Sequence, residues 1–277
     1  INLDYSGDRV RGARDWVISN MICTDYYRAG IRVGSGIDDD SDPATDLLTH
    51  NITIRHVYAN ACIDRAVIAG TGANTYVAAI QIMKGAHDVT IENSTLINNR
   101  GDCADTGGNG DGIATEDSSL THTVTVRNVN IYYSGDGCID NKVPGFSAEN
   151  VTGVGCRHTF RNWYHSDFVC VGCISDYARD SHIQPKDGGL PTFVNSQFWC
   201  RGDATPERVI NSHKSDGVTA DTGAVLQSVA VFDVEQCDPN PATNYLGELN
   251  DLSGLILLPS TLDSPASNPP DLTYRVR

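Results

Sequence analysis

Short apolar runs broken by small polar residues recur along most of this chain, and one version of the pattern keeps its register. It reads Val17-Ile18-Ser19-Asn20-Met21, Ile52-Thr53-Ile54-Arg55-His56-Val57, Val89-Thr90-Ile91-Glu92-Asn93 and Val124-Thr125-Val126-Arg127-Asn128-Val129. It continues as Phe146-Ser147-Ala148-Glu149-Asn150-Val151 and Val169-Cys170-Val171-Gly172-Cys173-Ile174, with weaker copies ending at Asn195 and Ser228. Each copy has the period of two that gives a strand one buried face. The recurring polar position falls at 20, 56, 93, 128, 150, 173, 195 and 228, in steps of 36, 37, 35, 22, 23, 22 and 33 residues. A step of 22 or 23 holds three short strands and three turns; the longer steps hold the same unit with an insertion at one turn. Units this small cannot bury their apolar faces alone and must stack on their neighbours. The pattern predicts an all-β fold, a right-handed single-stranded parallel β-helix of about eight or more coils.

Asn occupies the recurring position at 20, 93, 128, 150 and 195, with His56, Cys173 and Ser228 on the same rung. This predicts an internal Asn ladder whose amides satisfy buried backbone groups. Such a ladder would bury Asn93 and Asn150 despite their Asn-X-Thr sequons and leave Asn51 as the better acceptor. A second strand follows each rung: Gly30–Val33, Ala66–Ile68, Gly112–Ala114, Cys138–Asp140, Thr159–Arg161, His182–Gln184 and Val209–Asn211. Polar residues flank one apolar residue there, so one face of this strand should meet solvent. The repeat runs through residue 237; residues 238–277, with six of the 11 prolines, are expected to pack as a C-terminal cap or tail.

Charge and cysteine content narrow the function. The net charge is −15, and there is no basic stripe to release phosphate counterions, so nucleic acid is excluded as a partner. No stretch approaches the roughly 20 apolar residues that span a bilayer, so membrane insertion is not expected. Nine cysteines and the Asn51-Ile-Thr sequon favour a secreted or cell-surface protein, and the odd count leaves one thiol over. Strand alternation places Cys170 and Cys173 on opposite faces. Ile1-Asn2-Leu3 already follows the coil pattern without a capping helix, which predicts self-association through an uncapped N-terminal coil.

Three successive second strands carry unusual chemistry: Asn109-Gly-Asp111-Gly-Ile113, then Ser134-Gly-Asp136-Gly-Cys-Ile-Asp140-Asn-Lys142, then Gly155-Cys-Arg157-His158-Thr-Phe-Arg161. Neighbouring coils lie about 4.8 Å apart, so Asp111, Asp136 and Asp140 should gather several carboxylates within reach of one substrate. Such a group suits a hard cation held by oxygen ligands, or the acid and base of an inverting glycosidase. Mutual repulsion among them is expected to favour a protonated member. Arg157, His158, Arg161 and Lys186 stand beside them, and Lys142 shares a strand with Asp140. Trp163 and Tyr164 could stack on a sugar ring. The Gly-rich insertion 101–110 and its neighbours are expected to wall a groove floored by Asp136, Asp140, Arg161 and Lys186.

These residues resemble the motifs of two carbohydrate-active β-helix families. In polygalacturonase-like glycoside hydrolases Asn-Thr-Asp-Gly is followed by Gly-Asp-Asp-Cys-Ile and then Gly-His-Gly. Asn109-Gly-Asp111-Gly112, Gly135-Asp136-Gly137-Cys138-Ile139 and His158 are similar, except that Gly137 stands where the second Asp belongs. The calcium-dependent pectate lyases carry a comparable Asp cluster. That resemblance implies calcium as cofactor, Asp111, Asp136 and Asp140 as its ligands, and Lys186 as the base. His158 and Asp136 stand where the hydrolase motif has its catalytic groups; the residues themselves add Arg161 as a catalytic group and Arg157, Trp163, Tyr164 and Lys142 as polysaccharide contacts. The expected function is calcium-assisted β-elimination on a uronate-containing polymer. The alternatives are an inverting hydrolase, or a non-catalytic extracellular solenoid that stacks end to end.

Overall fold

The computed structural model describes residues 2–3, 13–26, 29–34, 49–62, 77–100, 110–116, 121–164, 167–201, 208–212, 224–232, 249–251 and 255–258. Every strand pairing among them is parallel, and no helix occurs among the described residues. The strands form two sheets. The first has eight strands that lie side by side in chain order: Asn2–Leu3, Ala29–Val33, Val77–Ile82, Gly110–Thr115, Gly137–Asn141, His158–Trp163, Ser181–Lys186 and Arg208–Ile210. The second has 14 strands. It begins with the long strands Arg14–Thr24, His50–Cys62, His87–Arg100 and His122–Tyr132. From Phe146 onward each long strand is replaced by two short ones, such as Phe146–Glu149 and Thr152–Val154.

Parallel strands need long connections between partners, and here the connection is one repeat of the sequence. Position after position therefore meets its own counterpart. Ile54, Ile91, Val126, Ala148, Cys170, Phe193 and Leu226 pair in succession and are all buried. Facing them, Ile31, Ile80, Ile113, Ile139, Phe160, Ile183 and Ile210 form a second buried column. Where the repeats are shortest the filling turns aromatic: Phe193 meets Phe160, Phe168 and Phe198 at ring separations of 5.3, 6.0 and 5.5 Å.

The recurring polar position has a different role from the one expected. Asn20, His56, Asn93, Asn128, Asn150, Asn195 and Ser228 all have left-handed backbone, with φ between 50° and 57°. Asn tolerates that conformation better than most side chains, which accounts for its recurrence. The residue marks the corner between two strand tracks, and its side chain faces outward at Asn20, Asn93, Asn128 and Asn150. The amides still stack: Asn128 donates to Asn93 at 3.3 Å, and Asn150 donates to Asn128 at 3.4 Å. The ladder expected to be internal is thus external here, and Asn93 and Asn150 are exposed. A buried polar ladder lies instead at the end of the first sheet, where Thr115 donates to Asn141 and Asn141 donates to Asn162, at 3.0 and 2.8 Å.

Two further expectations are corrected. The corner residue in the sixth repeat is Gly172, with φ of 64°, and not Cys173. That left-handed glycine resets the alternation, so Cys170 and Cys173 both face inward and form a disulfide. In the second repeat the strand that takes its place in the eight-stranded sheet is Val77–Ile82, which pairs Ala78 with Ala29 and Ile80 with Ile31. Ala66–Ile68 lies outside the described residues, as do Asn109, most of the 101–110 insertion, and most of 238–277. The described part of that last region, Leu249–Asp251 and Leu255–Leu258, pairs parallel with Ala224–Gln227 and Val229–Phe232.

A second disulfide joins Cys138 to Cys156, and Cys200 is also disulfide-bonded; Cys23 is a free thiol. These bonds are consistent with an extracellular protein. No helix of the described residues is long and apolar enough to cross a membrane. Because Phe193 touches three other rings in a fully buried site, Phe193→Ala should cost about 3–5 kcal/mol. Urea unfolding followed by intrinsic fluorescence should show it as a lower midpoint with an unchanged slope.

Candidate functional site

The outward face of the eight-stranded sheet assembles the charged residues into short columns. Register pairs Asp140 with Arg161 and Arg161 with Gln184. Two residues further along, Trp163 pairs with Lys186, and Lys142 stands in the same column on the other side. Next to the start of these strands, backbone bonds place Asp136, Arg157 and Asp180 in a third column. Asp111, Gly137, His158 and Ser181 make a fourth.

Opposite charges interleave across these columns. Arg161 donates to Asp136 at 2.5 Å, and its Nε lies 3.9 Å from Asp140. Asp140 is 2% exposed, yet it accepts from Lys142 Nζ and from Trp163 Nε1, both at 2.7 Å. A buried carboxylate needs such partners to remain charged. The expected clash of carboxylates is absent because a cation separates Asp136 from Asp140. Asp111 is fully buried and accepts from the Gly137 amide at 2.6 Å. A Cβ on residue 137 would stand 2.8 Å from that Asp111 oxygen and 3.3 Å from Asp140 Cβ. Gly137 therefore gives Asp111 its place, which explains why a second carboxylate does not fit there.

Three cations surround one indole. The centroid of the Trp163 ring lies 3.6 Å from Lys186 Nζ, 4.8 Å from Arg161 Cζ and 5.5 Å from Lys142 Nζ, all within cation–π range. Tyr164 packs its ring 5.6 Å from Trp163 and is 46% exposed, so its side chain is open to a ligand. The two lysines are driven apart. Burial and then Arg161 push the Lys186 amine below the usual lysine range. Burial would do the same to Lys142, but the charge and hydrogen bond of Asp140, with Asp111 behind it, hold it above that range.

His158 is 2% exposed, sits 3.8 Å from both Asp136 and Asp180, and bonds Ser181 Oγ through Nδ1 at 2.8 Å. Burial, followed by the charges of Arg161, Arg157 and Lys186, keeps the ring neutral well below the ordinary histidine range. It supports the site from beneath. Arg157 is exposed and lies 3.7 Å from Asp180.

Sequence reasoning passed over Asp180 and Arg179. Asp180 accepts from Arg208 and Asn211 at 3.3 and 3.4 Å. Arg179 ties down the turn before Asp136 by donating to the carbonyls of Ser134, Gly135 and Gly155. Their signal was positional: Asp180 precedes its strand as Asp136 precedes its own. Tyr132 and Tyr133, one repeat earlier, pack with Val154, Ile174 and Tyr177 in a separate apolar cluster.

The aspartate set does not fit a calcium site in this arrangement. Asp111 is held by a backbone amide, Asp136 by Arg161, and Asp140 by Lys142 and Trp163. Calcium asks for six to eight free oxygen ligands. Among the described residues, the His, Cys, Asp and Glu side chains close enough to share an ion are elsewhere, at His87, Asp88 and His122. Neither a family model nor a curated protein matches this chain.

The neutral, buried His158 gives stability a pH dependence of known sign. Its folded value lies below the unfolded value of about 6.5, so its contribution is complete above that pH and is lost as the pH falls through the window beneath it. Denaturant midpoints measured between pH 7.5 and 5 should fall for the wild type, and His158→Gln should flatten the slope.

Proposed function

We infer that the chain is a right-handed parallel β-helix of the carbohydrate-active kind, secreted, whose charged face cleaves a uronate-containing polysaccharide by β-elimination. The observation that carries this reading is the cluster of Lys142, Arg161 and Lys186 around Trp163 on a chain whose net charge is −15. A cationic patch beside an aromatic face suits an acidic sugar, since the indole stacks on the ring while the cations meet its carboxylate. Asp136 Oδ1, Arg161 Nε and Gln184 Oε1 are buried without hydrogen-bond partners among the described residues, and such unsatisfied polar groups call for an explanation that a functional site supplies.

Roles follow from the divergence of the two lysines. Pairs of groups whose surroundings push them apart supply an acid and a base. Lys186, displaced toward the neutral amine, takes the proton from C5 of the uronate. Arg161 and the neighbouring cations neutralise the uronate carboxylate, which acidifies that proton and stabilises the enolate. The C4–O bond then breaks to leave a C4=C5 double bond, and Lys142, held protonated by Asp140, returns a proton to the leaving oxygen. In this reading the chain's own cations take the part played by calcium in the lyases it resembles.

A second reading has its own support. Arg14–Thr24 lies at an edge of the larger sheet among the described residues and exposes Trp16, Val17 and Ile22 at 52, 57 and 71%. An exposed apolar edge strand favours a non-catalytic extracellular solenoid that associates with copies of itself.

Absorbance near 235 nm should rise when the protein meets pectate, alginate or a related polyuronate, with or without calcium. Lys186→Met should slow that rise by about 10²-fold or more at unchanged melting temperature. The wild-type rate should climb with pH through the lowered Lys186 value and fall only above the raised Lys142 value. New reducing ends without absorbance would move the assignment to an inverting hydrolase acting through Asp136 and Asp140. No product of either kind, with reversible association in sedimentation velocity, would leave the self-associating solenoid.

A further inference from the structure

The larger sheet begins three of its long strands with histidine. His50 pairs with His87, and His87 pairs with His122. Their imidazoles stack face to face: ring centroids are 5.2 Å apart between His50 and His87 with planes 7° apart, and 4.7 Å apart between His87 and His122 with planes 16° apart. The residue after each histidine, Asn51, Asp88 or Thr123, has left-handed backbone with φ of 58°, 52° or 55°. The same local turn, repeated three times, therefore presents each ring in the same attitude. The backbone beneath is tied from one repeat to the next, with the His50 amide on Ala13 O and the His87 amide on Thr49 O. The Gly85 amide is held by Thr121 Oγ1 at 2.7 Å.

The side chains around the rings complete a donor set. His87 Nδ1 meets Asp88 Oδ2 at 2.8 Å, and His122 Nδ1 meets Thr123 Oγ1 at the same distance. One ligand atom each from His87, Asp88 and His122 lie within 4.8 Å of one another. Two nitrogens bound to one zinc, each about 2.0–2.1 Å from the metal, stand roughly 3.3 Å apart in tetrahedral geometry. Imidazole lone pairs lie in the ring planes, so these rings share one ion when at least one of them rotates out of the stack, which their place at the surface allows. Imidazole nitrogens with one carboxylate are donors for late first-row divalent ions, not for calcium or magnesium.

We propose that His87, His122 and Asp88 form a surface site for a late first-row divalent ion of the zinc, nickel or copper class, with the His50 ring stacked against His87 on the far side. It is separate from the aspartate cluster and independent of the polysaccharide reading. An ion there would clamp two successive repeats together at one corner.

Calorimetric titration of the whole chain with zinc chloride and with nickel chloride tests it. The expected result is one ion per chain at micromolar affinity, no heat with calcium, and a raised melting temperature. His122→Gln and His87→Gln should each weaken zinc binding at least tenfold, while His56→Gln, an exposed histidine on another column, should leave it unchanged. Circular dichroism of the apo variants should match the wild type, since none of these rings is in the core. Absence of zinc and nickel binding would overturn the site, as would binding that survives loss of both His87 and His122.

Discussion

Everything in this molecule depends on parallel, in-register pairing of each strand with its counterpart one repeat later. Such pairing fixes neighbours about 4.8 Å apart and repeats the same side-chain direction at every step. A residue's fate is then decided by its column more than by its immediate sequence. The apolar columns supply the driving force, because each Ile, Val or Phe is covered from above, from below and from the facing sheet. The polar columns inherit the same proximity, which turns scattered charges into a cluster.

That constraint made much of the fold readable. The alternation of Ile52-Thr53-Ile54 or Val124-Thr125-Val126 states which face is buried, and the step between copies states which strands meet. The position of the recurring Asn was readable, but not its direction. An Asn that caps an internal ladder and an Asn that turns an outward corner leave the same mark in a sequence. Only φ near 50° and the exposed amides decide between them. The true internal ladder, Thr115 to Asn141 to Asn162, escaped notice because its three members belong to two residue types. Cys173 was placed one position out for a related reason. The corner in that repeat is a glycine, and glycine in a left-handed turn carries no polar side chain to announce itself.

The site was legible as a set of residues and less so as a set of contacts. Asp136, Asp140, Arg161, Trp163 and Lys186 do come together, as the column argument required. What spacing could not reveal is the interleaving of charge. Three aspartates on neighbouring strands read as a cation site or as a repelling cluster when counted alone. With Arg161 between Asp136 and Asp140, Lys142 on Asp140 and the Gly137 amide on Asp111, each carboxylate is met locally. Gly137 shows the same limit from the other side. In a motif it reads as a missing carboxylate, whereas in three dimensions it is the space that Asp111 occupies.

The distribution of charge also decides what kind of ligand this face can hold. A chain with 35 acidic and 20 basic residues repels a polyanion over most of its surface. Attraction can arise only where cations outnumber anions locally and are not fully consumed by them. Arg161 is shared between Asp136 and Asp140, and Lys142 is bound to Asp140, so those two are partly spent in holding the site together. Lys186 differs, because it rests against the face of Trp163 and its amine is pushed toward neutrality by burial and by Arg161. In the proposed reaction an acidic sugar entering beside Lys186 would raise its proton affinity, so the sugar carboxylate must sit against Arg161 and Lys142 for Lys186 to stay neutral until it takes the proton. That division of work among the cations would be a property of the cluster, and no one of its residues would have it alone.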